Sequence, residues 1–239
     1  MSPDSKYRRI LLKLSGEALG GAEGRGIDLP SLERIADEVL TIKELGVSIG
    51  VVIGGGNLIR GTQVKDNGIS RVTADNMGML GTVINSLALQ SVLDKKGCQT
   101  RVMSAVDMPK FAEPYIRRRA LRHLDKGRVV IMAAGTGNPY FSTDTAAALR
   151  AVEMEAEVLL KGTKVDGVYN SDPKKDKSAK KYQTLSFSQV LADKLAVMDL
   201  TAVSLCMENH MPIIVFDLNN SGTLKRIIQG EQLGTIVKE

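Results

Sequence analysis

Short apolar runs alternate along this chain with longer segments in which apolar residues recur every three or four positions. The short runs are typical of buried strands, and the longer segments are typical of amphipathic helices. Regular alternation of the two predicts a mainly parallel sheet that is covered by helices on both faces. We therefore expect an α/β fold, a three-layer α/β/α sandwich with a mainly parallel central sheet.

The predicted strands are rich in leucine or β-branched residues and span residues 8–14, 47–53, 101–106, 128–134, 158–161 and 212–218, with a last strand around Thr235. The predicted helices carry an apolar face and span residues 30–45, 74–96, 200–208 and 223–229, with one more that begins near Ser142. Ser186 and Gln189 have the spacing of a capping box, and Asp199 stands where it can cap the helix that follows it.

The 239 residues are 43% hydrophobic, which is enough for one large core. We expect a single domain over 1–239, with a soft boundary near residue 155 between an N-terminal lobe (about 1–155) and a C-terminal lobe (about 156–239). The lysine-rich segment 174–181 is predicted to be an exposed loop that could act as a lid.

Composition limits the compartment and the chemistry. Cys98 and Cys206 are far apart, and no cluster of Cys and His with the spacing of a zinc site surrounds them, so we expect neither a disulfide framework nor a zinc site. The segment from Met1 to Arg9 is polar, and no run of about 18 apolar residues occurs. These features predict a cytoplasmic protein without a membrane partner.

A net charge of +5 suits nucleic acid, and it suits equally a site that attracts polyanionic nucleotides. The densest basic stretch, Arg117 to Arg119 with Arg122, lies in a segment of helical pattern and is predicted to be a solvated or subunit-contact face. The chain has no Trp and only 4% aromatic residues, which leaves few stacking platforms for bases. Nucleic acid is therefore not an expected partner.

Three glycine loops each follow a predicted strand, at residues 15–17, 54–57 and 135–138. Ligands of open parallel sheets collect beyond the carboxyl ends of the strands, where bare backbone N–H groups and helix N-termini can hold phosphate. One such loop is most often only a turn, but three after separate strands favour a shared anion site. None matches a Walker P-loop or the dinucleotide Gly-x-Gly-x-x-Gly pattern.

Lys13 interrupts an apolar run at the very end of the first predicted strand. A buried ammonium group is costly without an anionic partner. Alone it could equally belong to an edge strand, but beside the glycine loops it is predicted to hold the transferring phosphoryl group.

Arg60 and Asp75 flank the second loop, where they can serve a nucleotide's phosphate and its sugar hydroxyls; the alternative is a surface pair and a helix cap. Asp144 directly follows Thr143 near a predicted helix start. It could orient a lysine, hold magnesium through water or only cap the helix, and Asp199 leaves the same options open.

A polar group follows the fifth predicted strand and suits contacts to adenine, ribose and a nearby magnesium ion: Lys161, Thr163, Lys164, Asp166, Tyr169 and Asp172. Neither His123 nor His210 lies in a glycine loop, and no Ser-His or Cys-His arrangement indicates covalent catalysis. A phosphate or carboxylate acceptor needs no general base, because its oxygen is already ionised near neutral pH.

Four motifs in this order resemble the bacterial UMP kinases, a branch of the amino acid kinase family, over essentially the whole chain. They are Lys13-Leu-Ser-Gly-Glu17, Ile53-Gly-Gly-Gly-Asn57 with Arg60-Gly61, Gly135-Thr-Gly-Asn-Pro139 through Asp144, and Lys164-Val-Asp-Gly-Val168 with Asp172-Pro173. The resemblance implies transfer of the ATP γ-phosphoryl group to UMP in pyrimidine nucleotide synthesis, with the acceptor in the N-terminal lobe and ATP in the C-terminal lobe.

By position, the resemblance implies catalytic roles for Lys13 and Asp144. It implies ATP contacts at Lys13, Leu14, Ser15, Gly16, Gly56, Arg60, Thr163, Tyr169 and Asp172, with Arg60 also bordering UMP. It implies UMP contacts at Gly55, Asp75, Thr136, Gly137, Asn138, Pro139, Tyr140, Phe141, Ser142 and Thr143. No residue is assigned as a direct metal ligand.

The same resemblance implies Mg²⁺ with ATP, a homohexamer, inhibition by UTP and activation by GTP. The implied regulatory residues are Gly21, Ala22, Glu23, Gly24, Arg25, Gly26, Arg101 and Arg128. The chain departs from the GTP-responsive members at Gln90-Ser91, where they often carry Arg-Asp. Two alternatives stay open: a relative that phosphorylates a carboxylate, of the acetylglutamate kinase or aspartokinase type, and a non-catalytic nucleotide-sensing protein. A third, nucleic-acid regulation driven by charge, predicts salt-sensitive DNA binding without an effect of UMP.

Overall fold

A computed structural model describes residues 5–59, 68–173, 175–176 and 178–239. The strands of the central sheet are β1 (Arg9–Leu14), β2 (Ser48–Ile53), β3 (Thr100–Ser104), β4 (Glu113–Pro114), β5 (Val129–Ala133), β6 (Val158–Thr163), β7 (Thr184–Ser186), β8 (Ile213–Asp217) and β9 (Thr235–Lys238). They form one sheet in the order β4-β3-β5-β2-β1-β6-β8-β9-β7. All neighbouring pairs are parallel except β8 and β9, so the predicted mainly parallel sheet is confirmed.

The described α-helices are α1 (Leu29–Glu44), α2 (Arg71–Lys95), α3 (Arg117–Asp125), α4 (Thr143–Glu153), α5 (Phe187–Ala192), α6 (Leu200–Glu208) and α7 (Thr223–Ile228). Two predicted caps are confirmed, because Ser186 accepts from the Gln189 N–H and Asp199 accepts from the Ala202 N–H. Helix α2 begins three residues before the predicted start, since Ser70 caps it through the Thr73 N–H.

Alternation along β1 divides the apolar core into two layers. Ile10, Leu12 and Leu14 pack on the face that α1, α2 and α7 cover, whereas Leu11 packs on the face covered by α4, α5 and α6. Successive side chains of a strand point to opposite faces of the sheet. Lys13 therefore shares the face of Leu11, beneath the start of α4.

Strand β1 is the fifth of nine strands, with β2 and β6 as its neighbours. Its register sets Lys13 opposite Val52 on one side and opposite Lys161 on the other. The alternative that Lys13 belongs to an edge strand is therefore wrong.

The basic residues of α3 lie on the surface. Arg117 forms an ion pair with Glu155 and donates to the Glu153 carbonyl at 2.6 Å, while Arg118, Arg119 and Arg122 are exposed. Whether this face contacts another subunit stays a prediction. In the described segments, no helix combines the length and apolarity that crossing a bilayer requires.

Candidate active site

The three glycine loops meet at the carboxyl edge of the central strands. A Cβ atom at Gly16 would lie 2.5 Å from the Gly54 oxygen, and one at Gly55 would lie 2.5 Å from the Gly78 oxygen of α2. Real Cβ atoms do not approach backbone so closely, so only glycine allows these contacts. Gly55, Gly56 and Gly135 then line one cavity of about 280 Å³.

This first cavity is bordered by the second glycine loop, the start of α2 and the loop 135–143. We call it the acceptor cavity because residues predicted to bind the acceptor line it. The predicted UMP residues that line it are Gly55, Asp75, Thr136, Asn138, Phe141, Ser142 and Thr143. Gly137, Pro139 and Tyr140 do not line it, although they belong to the same loop. Sequence reasoning missed Ile59, Ala74, Gly78, Met79 and Thr82, which contribute apolar or backbone surface rather than a chemical signature.

Asp75 ties α2 to the loop 135–143. One of its carboxylate oxygens accepts the Tyr140 N–H at 2.8 Å and lies 3.5 Å from Arg71 Nε. Tyr140 has a left-handed φ of 74°, and the Arg71 guanidinium lies 5.3 Å from the centre of its ring. Because Ser70 caps α2, the alternative of a helix cap at Asp75 is wrong. Arg60, its predicted companion, lies outside the described residues.

Two buried lysines meet one carboxylate beside this cavity. The Lys13 Nζ atom lies 2.6 Å from Asp144 Oδ1, and the Lys161 Nζ atom lies 2.8 Å from Asp144 Oδ2. Lys161 also donates to the Val197 carbonyl at 2.6 Å. The side chains of Lys13, Lys161 and Asp144 are 10%, 16% and 16% exposed. Asp144 thus bridges two ammonium groups that project from neighbouring strands, and we call the three residues the lysine–aspartate triad.

Burial and charge act in opposite directions on Asp144. Burial raises the pKa of its carboxyl group, but the ammonium groups of Lys13 and Lys161 outweigh burial and hold the pKa below its ordinary value. Burial also lowers the pKa of Lys161, and the Asp144 carboxylate only partly offsets this effect. The triad carries a net positive charge when both lysines are protonated, so it can attract a phosphate group.

Three roles were open for Asp144, and the geometry excludes one of them. Ser142 is the cap of α4, because its Oγ accepts from the N–H groups of Asp144 and Thr145 at 3.0 and 3.1 Å. Asp144 therefore does not cap the helix. Its contacts are those of a residue that orients lysines.

Asp199 joins the N-termini of α4 and α6. It caps α6 through the Ala202 N–H at 3.0 Å, accepts from Thr145 Oγ1 at 3.0 Å and forms a close hydrogen bond with the Ser142 hydroxyl. Sequence reasoning found the cap but not the link to Ser142 and Thr145. The link depends on how two helices pack, and no local pattern reports it.

A second cavity of about 440 Å³ lies between the turn after β6 and the segment after α5. Tyr169 and Asp172, two predicted ATP residues, line it with Val165 and with the segment from Asp193 to Ala196. Thr163 does not line it. Instead, the Thr163 hydroxyl donates to the Val165 carbonyl at 2.6 Å and accepts the Val165 N–H at 3.0 Å, which shapes the turn.

The predicted regulatory residues do not lie together. Residues 21–26 form a tight turn whose Gly26 N–H donates to the Asn57 carbonyl at 3.0 Å, beside the glycine loops. Arg101 is the second residue of β3, and its Nε atom lies 3.5 Å from Glu113 Oε1. Arg128 directly precedes β5, and its Nη1 atom lies 3.0 Å from His123 Nδ1. These arginines thus lie at the amino ends of parallel strands, away from the glycine loops.

Both cysteines are buried, and their chemistry should reflect it. Burial, with smaller contributions from Asp144 and Asp199, raises the pKa of Cys206 to about 12, and burial raises the pKa of Cys98. We expect neither thiol to react with iodoacetamide at pH 8 in the folded protein and both to react after denaturation. Mass spectrometry of the intact chain would count the adducts, and modification of Cys206 in the native protein would contradict its burial.

Comparisons with known proteins indicate the same family over nearly the whole chain. The model of the amino acid kinase family matches residues 8–217. The chain is 56% identical over 237 residues to the uridylate kinase of Paramagnetospirillum magneticum, covering 99% of each protein. Among solved structures it is similar to the UMP kinase of Bacillus anthracis, at 44% identity and a TM-score of 0.95, over 97% of this chain and 96% of that one.

It is also similar to the UMP kinase of Ureaplasma parvum, at 36% identity and a TM-score of 0.92, over 98% of this chain and 100% of that one. The family model thus spans most of the chain, and the relatives match the chain almost from end to end. Both comparisons indicate the same family. The chain belongs to the amino acid kinase family.

Proposed function

We propose that this enzyme transfers the γ-phosphoryl group of ATP to UMP, giving ADP and UDP in pyrimidine nucleotide biosynthesis. The observation that carries the proposal is the lysine–aspartate triad between two cavities. Thr143, next to Asp144, lines the acceptor cavity, and Ala196, next to the carbonyl that accepts from Lys161, lines the second. A cationic group between two nucleotide sites is suited to stabilise a phosphoryl group in transit.

The proposed mechanism is in-line attack of a UMP phosphate oxygen on the ATP γ-phosphorus. The bond to the β,γ-bridging oxygen breaks as the new P–O bond forms, and ADP leaves with the bridging oxygen. Lys13 and the N–H groups of the glycine loops stabilise the charge that spreads over the equatorial oxygens. The attacking oxygen is already ionised near neutral pH, so positioning replaces a general base.

The assignment of residues follows the resemblance, and the lining of the two cavities supports part of it. We place UMP in the N-terminal lobe (about 1–155) and ATP in the C-terminal lobe (about 156–239). The ATP phosphates are proposed to contact Lys13 and the loop residues Leu14, Ser15, Gly16 and Gly56. The nucleoside of ATP is proposed to contact Tyr169 and Asp172. The position of Tyr169 and Asp172 in the second cavity supports this division.

Magnesium is proposed to enter with ATP. Among the described residues, no three His, Cys, Asp or Glu side chains are grouped as a metal cage. The donor set nearby fits an ion that keeps most of its water, since Mg²⁺ in phosphoryl-transfer sites takes one or two carboxylates and otherwise phosphate oxygens. Asp144 and Asp199 are the carboxylates that could hold it, and it would neutralise charge on the ATP phosphates.

The structure also bears on the rival acceptors. A relative that phosphorylates an amino acid carboxylate would need a site for a small acid, whereas the acceptor cavity combines Asp75, apolar Ile59 and Met79, and the loop 135–143. That mixture is suited to a ribose and a base. The cytoplasmic location rests on the composition of the chain, whereas the homohexamer, UTP inhibition and GTP activation rest on the resemblance alone. All four belong to the proposal.

The test is turnover by the purified chain with MgATP and each of UMP, CMP, acetylglutamate and aspartate. We expect ADP formation with UMP at a kcat/KM at least about a hundredfold above that of the amino acids. ATP consumption only with an amino acid would refute the proposal. Binding of UMP without UDP formation at saturating substrates would favour the nucleotide-sensing alternative.

Replacing Asp75 by asparagine should weaken UMP binding. The Tyr140 N–H keeps an acceptor, so the loop stays attached, but a hydroxyl of the substrate loses its charged partner. We expect the KM for UMP to rise about tenfold while the KM for ATP stays within about twofold. Asp94→Asn is the matched control, since Asp94 lies on the same helix and also accepts a backbone N–H, from Thr100 at 3.1 Å. Equal effects of the two variants on UMP would contradict the assignment.

A further inference from the structure

Two buried side-chain amides lie behind the second glycine loop. Asn57 ends that loop and is 5% exposed, and Asn85, in the middle of α2, is fully buried. Asn57 Nδ2 donates to Asn85 Oδ1 at 3.0 Å, and Asn85 Nδ2 donates to Asn57 Oδ1 at 2.7 Å. The two amides therefore form a reciprocal, almost completely buried pair.

The second hydrogen of each amide nitrogen is used as well. Asn85 Nδ2 donates to the Gly54 carbonyl at 2.8 Å, and Asn57 Nδ2 donates to the Gly26 carbonyl at 2.6 Å. Because both external partners are carbonyl oxygens, they fix the orientation of each amide. The pair thus joins α2, the second glycine loop and the turn at residues 20–26.

These bonds determine how the glycine loop presents its backbone. The Gly54 N–H donates to the Leu14 carbonyl at 2.9 Å, and the Gly54 carbonyl is held by Asn85. In a trans peptide the carbonyl and the following N–H point in opposite directions. The Gly55 N–H is therefore turned away from Asn85, and neither it nor the Gly56 N–H donates to another of the described residues.

Three consecutive glycines have no side chains to pack and many accessible backbone conformations. Something outside the loop must select the conformation in which its N–H groups can bind an anion. We propose that the Asn57–Asn85 pair is the positioning unit that holds the second glycine loop ready for phosphate and ties the turn 20–26 to it. This inference rests on the proposed function, and it assigns a role to two residues that do not touch the acceptor cavity.

Asn85→Asp tests the hydrogen bonds at nearly constant size, since it replaces the donor to Gly54 by an acceptor, and Asn85→Ala tests them without an added charge. Ser86→Ala is the matched control. Ser86 is the next residue, equally buried, and its hydroxyl donates within α2, to the Thr82 carbonyl at 2.7 Å. Both positions lose a buried hydrogen bond, but only Asn85 reaches the glycine loop.

The decisive measurement is how much the phosphate group of UMP adds to its affinity. Calorimetry gives this as the Kd for uridine divided by the Kd for UMP. We expect this ratio to fall about tenfold in the Asn85 variants and kcat to fall about thirtyfold, with the uridine Kd within about twofold of the wild type. Ser86→Ala should leave the ratio and kcat within about twofold. Loss of folded protein alone would not change a ratio of dissociation constants.

A double variant adds a second criterion. If the amides act as one unit, Asn57→Ala with Asn85→Ala should lower kcat no further than the worse single variant, whereas independent packing defects would add. Asn57→Ala should also release the turn 20–26, so that trypsin cleaves after the exposed Arg25 about tenfold faster, with no change in Ser86→Ala.

Two results would overturn the inference. One is a folded Asn85 variant that keeps both the uridine-to-UMP ratio and kcat within about threefold of the wild type. The other is that Asn85→Ala and Asn57→Ala are both unfolded at 25 °C, which would assign the pair to stability. Failure of the proposed function can be told apart from failure of this inference, because the wild-type chain would then form no UDP at all.

Discussion

Replacing Lys13 by alanine is expected to lower kcat at least about a thousandfold while the KM for UMP changes by less than about threefold. A thousandfold loss corresponds to about 4 kcal/mol of transition-state stabilisation. Lys13 lies near the end of β1, beside the glycine loops, and the proposed mechanism places the transferring phosphoryl group there. Its contribution should therefore appear in the chemical step.

The size of the effect follows from burial. The Lys13 side chain is 10% exposed, and a charge interacts more strongly there than it would in water. UMP should still bind, because Lys13 does not line the acceptor cavity. Asp144 keeps Lys161 as a partner at 2.8 Å, so the variant should remain folded.

The Lys96–Asp37 pair gives a matched control for Lys13. Its Nζ to Oδ1 distance is 2.6 Å, as in Lys13–Asp144, but Asp37 is 61% exposed. Lys96→Ala should leave kcat within about twofold, since an exposed ion pair contributes little. A Lys13→Ala enzyme that keeps its rate in a quenched-flow or coupled assay would show that Lys13 does not stabilise the transition state.

Local patterns predicted most of the sheet and the position of the glycine loops. Strand β2 differs from its predicted span 47–53 by one residue, and helix α6 begins and ends where Asp199 and its apolar face predict. These elements combine apolar periodicity with a cap or a glycine stop, and such signals are local. The short strands β4 and β7 carry no such signal, because only pairing with another strand defines them.

Lys161 shows why the site was harder to predict than the fold. It interrupts an apolar strand just as Lys13 does, so its burial could have been suspected. Its role depends on the register between β1 and β6. That register sets Lys161 directly opposite Lys13, at the strand separation of about 5 Å. Register between distant strands cannot be derived from either strand alone, so only the fold reveals that two lysines share Asp144.

Replacing Asp144 by asparagine is the second change with a large expected effect, on both stability and turnover. Two ammonium groups would then remain buried without a carboxylate, and breaking a buried ion pair from one side costs about 3 kcal/mol or more. We expect the free energy of unfolding to fall by that amount at pH 7, and kcat to fall at least about a hundredfold because Lys13 loses its orientation. Asp37→Asn, in the exposed pair, should cost less than about 1 kcal/mol.

The pH dependence separates this electrostatic account from a packing defect. The pKa of Asp144 is lowered in the folded protein, so its stabilising contribution is present above the ordinary value of about 3.9 and is lost as pH falls through the lower folded value. The difference between wild type and variant should therefore narrow in acid.

At alkaline pH the variant should gain stability. Burial lowers the pKa of Lys161, and without Asp144 this pKa should fall further, so the unfolded chain binds more protons than the folded one as pH rises towards the ordinary lysine value of about 10.4. Stability then increases with pH in that window. Chemical denaturation of both proteins at a series of pH values would measure the difference, and a constant gap from acid to alkali would mean that Asp144 acts through packing rather than through charge.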